Sequence, residues 1–233
     1  MGDDICGNLQ SFTGNAVALS ASGTTLAIGA LDDYEGTDAT NAKGSVTIYE
    51  WNGTSWSQVG DKIFGENVSD ENGYSISLNA DGDIVAMGAV KYDSTSTDVG
   101  QVRVYQYSSG SWSQIGSDII GQSESDQTGT AVSLNANGTR LAVGSAYVDP
   151  SDNGSVKIYD FANNSWSLVG SEIPGSENNA NSGFSVKMSS SGHIVAIGSP
   201  NNGTGLVEVY EYKTNSWTKI SDDSVLIGST GDN

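Results

Sequence analysis

Four copies of one unit account for nearly all of the 233-residue chain, and no other feature limits the fold as much. Gly14, Gly73, Gly129 and Gly183 open the copies, and Trp56, Trp112, Trp166 and Trp217 stand near their ends, 56, 54 and 51 residues apart. One segment accounts for the shrinkage. It runs over 89–100, 145–154 and 199–205 in the later copies, which is 12, 10 and 7 residues. A constant core with one variable loop and a period near 50 residues describes a propeller blade and not a helical repeat.

Each copy contains four short runs of strand character. The first alternates: Val17 and Leu19, Ile76 and Leu78, Val132 and Leu134, Val186 and Met188. Period two puts these pairs on one face of a strand. A turn ending in Gly23, Gly82, Gly138 or Gly192 follows, and the second run (LAIGA, VAMGA, LAVGS, VAIGS) comes straight back. In that run the large residues share one face, while the alanines and Gly29, Gly88, Gly144 and Gly198 occupy the other. The third run (SVTIYEW and its equivalents) sets a Val/Ile pair against an aromatic pair, and the repeat tryptophan lies in the fourth.

A sheet with one bulky and one small face can nest against the next copy, and repeating that step makes a ring of stacked sheets. The expectation is therefore an all-β chain forming a β-propeller of four four-stranded antiparallel blades, at about residues 14–65, 73–121, 129–175 and 183–228, alone or within a larger propeller. The tryptophans should pack between adjacent sheets. A β-sandwich would not require four near-identical units. Because the chain starts and stops at the same phase of the repeat, it either closes as a four-bladed monomer or associates head to tail.

Nine Lys and Arg against 28 Asp and Glu give a net charge of −19. A surface so negative repels phosphate backbones and anionic bilayers, which excludes nucleic acid as a partner. No apolar run approaches the ~18 residues a spanning helix needs, so no membrane insertion is expected. His193 is the only histidine, and it follows the turn glycine Gly192, where a turn residue is a simpler reading than a general base. No catalytic residue is assigned on this basis. Hard cations want several oxygens. The acidic positions that could supply them are Asp32, Asp33 and Glu35 in one loop, Asp81 and Asp83 in the second copy's turn, and the 149–152 segment. Calcium is thus the one candidate cofactor, and none is required. Six Asn-x-Ser/Thr sequons, including Asn52 and Asn137, fall in turns or loops.

The stretch Gly183-Phe184-Ser185-Val186-Lys187-Met188, with Ile197-Gly198-Ser199-Pro200 and Val207-Glu208-Val209-Tyr210, resembles the FG-GAP repeats of integrin α-subunit propellers. The resemblance implies a non-enzymatic extracellular or cell-surface module whose loops contact protein or matrix. Its signal segment would not be present in this chain. Further copies of the chain are a second class of partner. The alternative is a calcium-assisted, glycan-binding propeller using loop Tyr34, Tyr92 and Tyr147. A hydrolase or lyase is the third reading.

Overall fold

A computed structural model describes residues 3–94, 96–148 and 152–220, together with the backbone of 226–227. Apart from one helical turn at Ala39–Asn41, all its regular structure is β. Blade 1 comprises Thr13–Leu19, Thr25–Ala30 and Ser45–Trp51, with a fourth strand in two pieces, Trp56–Gln58 and Ile63–Phe64. Blade 2 repeats this as Asn72–Leu78, Ile84–Ala89, Gln101–Ser108, Ser111–Gln114 and Ile119–Ile120. Blade 3 is Thr128–Leu134, Arg140–Ser145, Ser155–Ala162, Ser165–Leu168 and Ile173–Pro174. Blade 4 is Ser185–Met188, Ile194–Ser199, Leu206–Lys213, Ser216–Lys219 and Leu226–Ile227. Every pairing within a blade is antiparallel, in meander order, and both pieces of the fourth strand pair with the third. The chain is thus an all-β propeller fold of four antiparallel sheets.

The asymmetry between faces directs the packing. The small face of blade 1 (Ala27, Val46, Ile48) meets the bulky face of blade 2 (Leu78, Val85, Met87), and the same contact recurs between blades 2 and 3 and between blades 3 and 4. Serines inside these interfaces accept the outward amides of the next blade's edge strand. The amide of Leu134 donates to Ser77 Oγ at 2.9 Å, and that of Met188 to Ser133 Oγ at 3.0 Å. A second series links the turns: Ala21 N to Ala80 O, Ala80 N to Ala136 O and Ala136 N to Ser190 O.

The repeated glycines have a steric cause. A Cβ on Gly29, Gly88 or Gly144 would lie 2.2, 2.1 or 2.0 Å from the carbonyl oxygen of Gly73, Gly129 or Gly183 in the next blade. Only a residue without a side chain permits that approach. The tryptophans lie at the blade margins, partly buried, each against the aromatic residue opposite it on the third strand; Tyr107 and Trp112, for example, have centroids 5.2 Å apart.

The expected closure of four blades on themselves is not what the fold shows. Val17 and Leu19 on the bulky face of blade 1 are 63% and 59% exposed, whereas the equivalents of Leu19, namely Leu78, Leu134 and Met188, are at most 9% exposed. At the other end Ile194 and Ile220 on the small-side face of blade 4 are exposed too. Without a shared strand, four blades stacked at this step leave an open arc.

Candidate functional site

The repeat breaks in one column. The residue that starts the second strand is Thr25, Ile84, Arg140 and Ile194 in the four copies. In blades 1 and 2 that side chain packs against the turn glycine of the next blade, Gly82 or Gly138. Arg140 occupies the same place against Gly192, and so carries a guanidinium into the seam between blades 3 and 4. There it makes a bidentate pair with Asp160 across the sheet, Nε to Oδ1 at 2.5 Å and Nη2 to Oδ2 at 2.7 Å. Its Nη1 donates to the carbonyl of Gly192 at 3.0 Å, and Cζ stands 5.0 Å from the ring centroid of Tyr212. The bond from Asp160 raises the guanidinium's affinity for its proton further. These three bonds use three of its five N–H groups. The other two make no hydrogen bond to a described residue.

A cleft of about 320 Å³ opens beside this pair, lined by Asn135, Asn137, Thr139, Arg140, Asp160, Phe161, Ala162, Ser191 and His193. Local turn chemistry holds its rim. Asn135 Oδ1 accepts the amide of Arg140, and Asn137 Oδ1 accepts Thr139 Oγ1–H. In the facing turn Ser189 Oγ accepts the amide of Ile194. His193 lies 3.0 Å through Nδ1 from the carbonyl of Ser191. A carbonyl can only accept, so Nδ1 carries the proton and the neutral ring keeps its lone pair on Nε2.

The acidic positions are not brought together. Asp33 is buried and receives Asn8 Nδ2 at 2.8 Å, Ser45 Oγ at 2.7 Å and Lys62 Nζ at 2.6 Å. Burial alone would raise its pKa, but the bonds from Lys62, Ser45 and Asn8 outweigh it and hold the carboxyl below the usual range. Asp32 and Glu35 are exposed on the same loop. Asp83 accepts a bond from Asn79 Nδ2, while Asp81 is exposed. Among the described residues no three His, Cys, Asp or Glu side chains form a group that could hold a metal. Asp149 lies outside the described residues, and Asp152 is described without such a group. Sequence reasoning set His193 aside as a turn residue. The turn placement is right, but Arg140 and Asp160 were missed, and the signal for them was the lone cation in a column otherwise filled by Thr and Ile.

No protein-family model matches the chain. No curated protein matches it by sequence. Solved structures do match in shape. A protein of Bacteroides uniformis provisionally named a 6-phosphogluconolactonase has a TM-score of 0.61 at 10% identity, covering 92% of this chain and 55% of its own. The periplasmic gluconolactonase of Pseudomonas aeruginosa gives 0.63 at 13%, with 94% and 58% covered. The hydrazine synthase of Kuenenia stuttgartiensis gives 0.54 at 14%, with 89% and 54% covered. At such identities the likeness shows the fold alone. The chain spans a little over half the length of each.

These neighbours correct the integrin-type reading. Of the glycines that carried the FG-GAP resemblance, Gly183 lies where the backbone of blade 4 meets Gly144 of blade 3, so it reports blade packing and not kinship with integrins. With lactonases among the neighbours, the non-enzymatic binding propeller and its glycan-binding alternative are not supported. No helix among the described residues is long and apolar enough to cross a membrane.

Proposed function

We propose that the chain carries a lactone-hydrolysing site in the cleft between blades 3 and 4, with a neutral aldonolactone as substrate. The observation that carries this reading is the cleft that His193 and Arg140 line together, with His193 Nδ1 held 3.0 Å from the carbonyl of Ser191 so that Nε2 is the nitrogen left to meet a ligand. The names of two neighbours, a gluconolactonase and a provisional 6-phosphogluconolactonase, support the substrate class. The first of these is periplasmic, which supports a setting outside the cytoplasm.

In this reading His193 Nε2 takes a proton from water as the water oxygen attacks the lactone carbonyl carbon. Negative charge develops on the carbonyl oxygen, and a free N–H of Arg140 stabilises it. The tetrahedral intermediate collapses, the ring C–O bond breaks, and the leaving ring oxygen takes the proton back from His193. One lactone and one water thus become one hydroxy acid. Asp160 keeps the guanidinium in place and takes no part in proton transfer. Asn137, Thr139 and Ser191 offer amide and hydroxyl partners for sugar hydroxyls. A phosphorylated lactone fits less well, because the net charge is −19 and the cleft's one cation is already paired.

Proton release from glucono-δ-lactone, followed at constant pH against the spontaneous rate, tests the reading. A saturable acceleration proportional to protein concentration is expected, weaker with the 6-phosphate. Rates equal to the spontaneous one with both lactones would overturn it.

A further inference from the structure

The turn between the first and second strands is closed in every blade by one side chain at the same place, Ser20, Asn79, Asn135 or Ser189. Each accepts the amide five residues on: Thr25 N to Ser20 Oγ at 3.0 Å, Ile84 N to Asn79 Oδ1 at 3.0 Å, Arg140 N to Asn135 Oδ1 at 2.9 Å and Ile194 N to Ser189 Oγ at 3.1 Å. A hydroxyl thus serves this turn as well as a carboxamide does. Asparagine adds an NH2 group that the turn does not need.

In blade 2 that group is consumed, because Asn79 Nδ2 donates to Asp83 Oδ1 at 2.7 Å. Blade 3 has Thr139 at the place of Asp83, and Thr139 turns its hydroxyl to Asn137 Oδ1. Asn135 Nδ2 is left with no hydrogen bond to a described residue, although Asn135 is only 6% exposed. Among the residues that line the cleft it alone is buried. The bond from the Arg140 amide fixes which end of the carboxamide is oxygen, and the nitrogen end lies beside Gly192. A Cβ built on Gly192 would stand 3.1 Å from Asn135 Nδ2 and 3.0 Å from Cδ of Arg140. The bare Cα therefore leaves a recess walled by Asn135 and Arg140, with His193 next along the turn. A buried donor is costly to leave unpaired, and a ligand oxygen in the cleft supplies its acceptor.

We propose that Asn135 determines specificity in this cleft: its Nδ2–H donates to a hydroxyl oxygen of the bound lactone, so that a hydroxylated lactone is preferred to an aliphatic one. The inference rests on the lactone reading above and gives a role to a residue that reading does not use. Charge divides the two donors. The Arg140 cation suits the carbonyl oxygen on which negative charge develops, whereas the neutral carboxamide suits a neutral hydroxyl oxygen. A site that binds a hydroxyl through a buried donor rejects the analogue lacking it, since the donor is then left unpaired. Asn137 and Thr139 are exposed on the rim, where water serves them equally well, and they discriminate less.

The test is a ratio between two substrates. kcat/KM is measured for glucono-δ-lactone and for δ-valerolactone, which has the same ring without hydroxyls. Asn135→Ser brings into blade 3 the residue that closes this turn in blades 1 and 4, so the bond to the Arg140 amide is kept and only the donor is lost. Asn135→Asp likewise keeps the acceptor and the shape. Each substitution is expected to lower the ratio of the gluconolactone to the valerolactone value about tenfold or more, with the urea midpoint of Asn135→Ser close to that of the wild type. A disturbed turn would lower both values alike and leave the ratio where it was. Hydrolysis of both lactones by the wild type, with the ratio unchanged in the two variants, would overturn this inference alone. Wild-type rates no faster than the spontaneous ones would overturn the lactone reading and this inference with it.

Discussion

The indole Nε1 of Trp112 donates a 2.9 Å hydrogen bond to the carbonyl oxygen of Val59 in the preceding blade. Trp166 repeats it to Ile115 at 3.0 Å and Trp217 to Val169 at 2.9 Å. The repeat tryptophan is thus a clasp between blades as well as apolar cover. Truncating Trp112 to Ala removes the bond and a partly buried ring packed on Gly60, and is expected to cost about 3 kcal/mol. Among the described residues Trp56 has no such partner in another blade, so Trp56→Ala in this chain should cost less than about 1 kcal/mol. Urea midpoints of the two variants check the contrast, and equal losses would mean that the ring matters only within its own sheet.

Gly88 makes the corresponding backbone prediction. A methyl there would sit 2.1 Å from Gly129 O, an atom that cannot swing aside, and blades 2 and 3 would have to separate. Gly88→Ala is expected to destabilise by about 1–3 kcal/mol, in the range of other overpacking changes. Thermal melting decides it. An unchanged midpoint would show that the seam is looser than the glycine contact implies.

Acid stability should depend on Asp33. Its folded pKa is lowered, with burial opposing and the bonds from Lys62, Ser45 and Asn8 prevailing. A carboxyl of this kind contributes stability fully above its ordinary pKa and loses it as the pH falls through the folded value. Asp70 is opposite in sign, since burial outweighs the amide bonds it accepts from Asn67 and Glu66 and raises its pKa. Between about pH 5 and pH 2 the wild-type midpoint should fall, and Asp33→Asn should fall less over the same interval. Parallel slopes for the two proteins would contradict this.

The blade was legible because its constraints are local and repeated. Period-two alternation, turn glycines such as Gly138 and the small-residue column at Gly88 and Gly144 each leave a mark in the sequence. Closure was not legible. Whether Val17 and Leu19 are covered depends on the angle between blades, which side-chain identity in a single copy does not encode. Asp33 looked like a metal ligand among its acidic neighbours, but its nearest cation is Lys62, 29 positions away in sequence. The cleft was hidden for the same reason. His193 acquires meaning only beside Arg140, and those two come together through the stacking of blade 4 on blade 3.

The central claim, that this cleft hydrolyses lactones with His193 as the base, meets its most direct test in one comparison. Glucono-δ-lactone hydrolysis is measured for the wild-type chain and for His193→Gln, with the thermal midpoint of each recorded. The exposed turn position predicts unchanged midpoints, and loss of the base predicts a fall in kcat of about 100-fold or more with KM little changed. Equal kcat values in the two equally stable proteins would contradict the assignment.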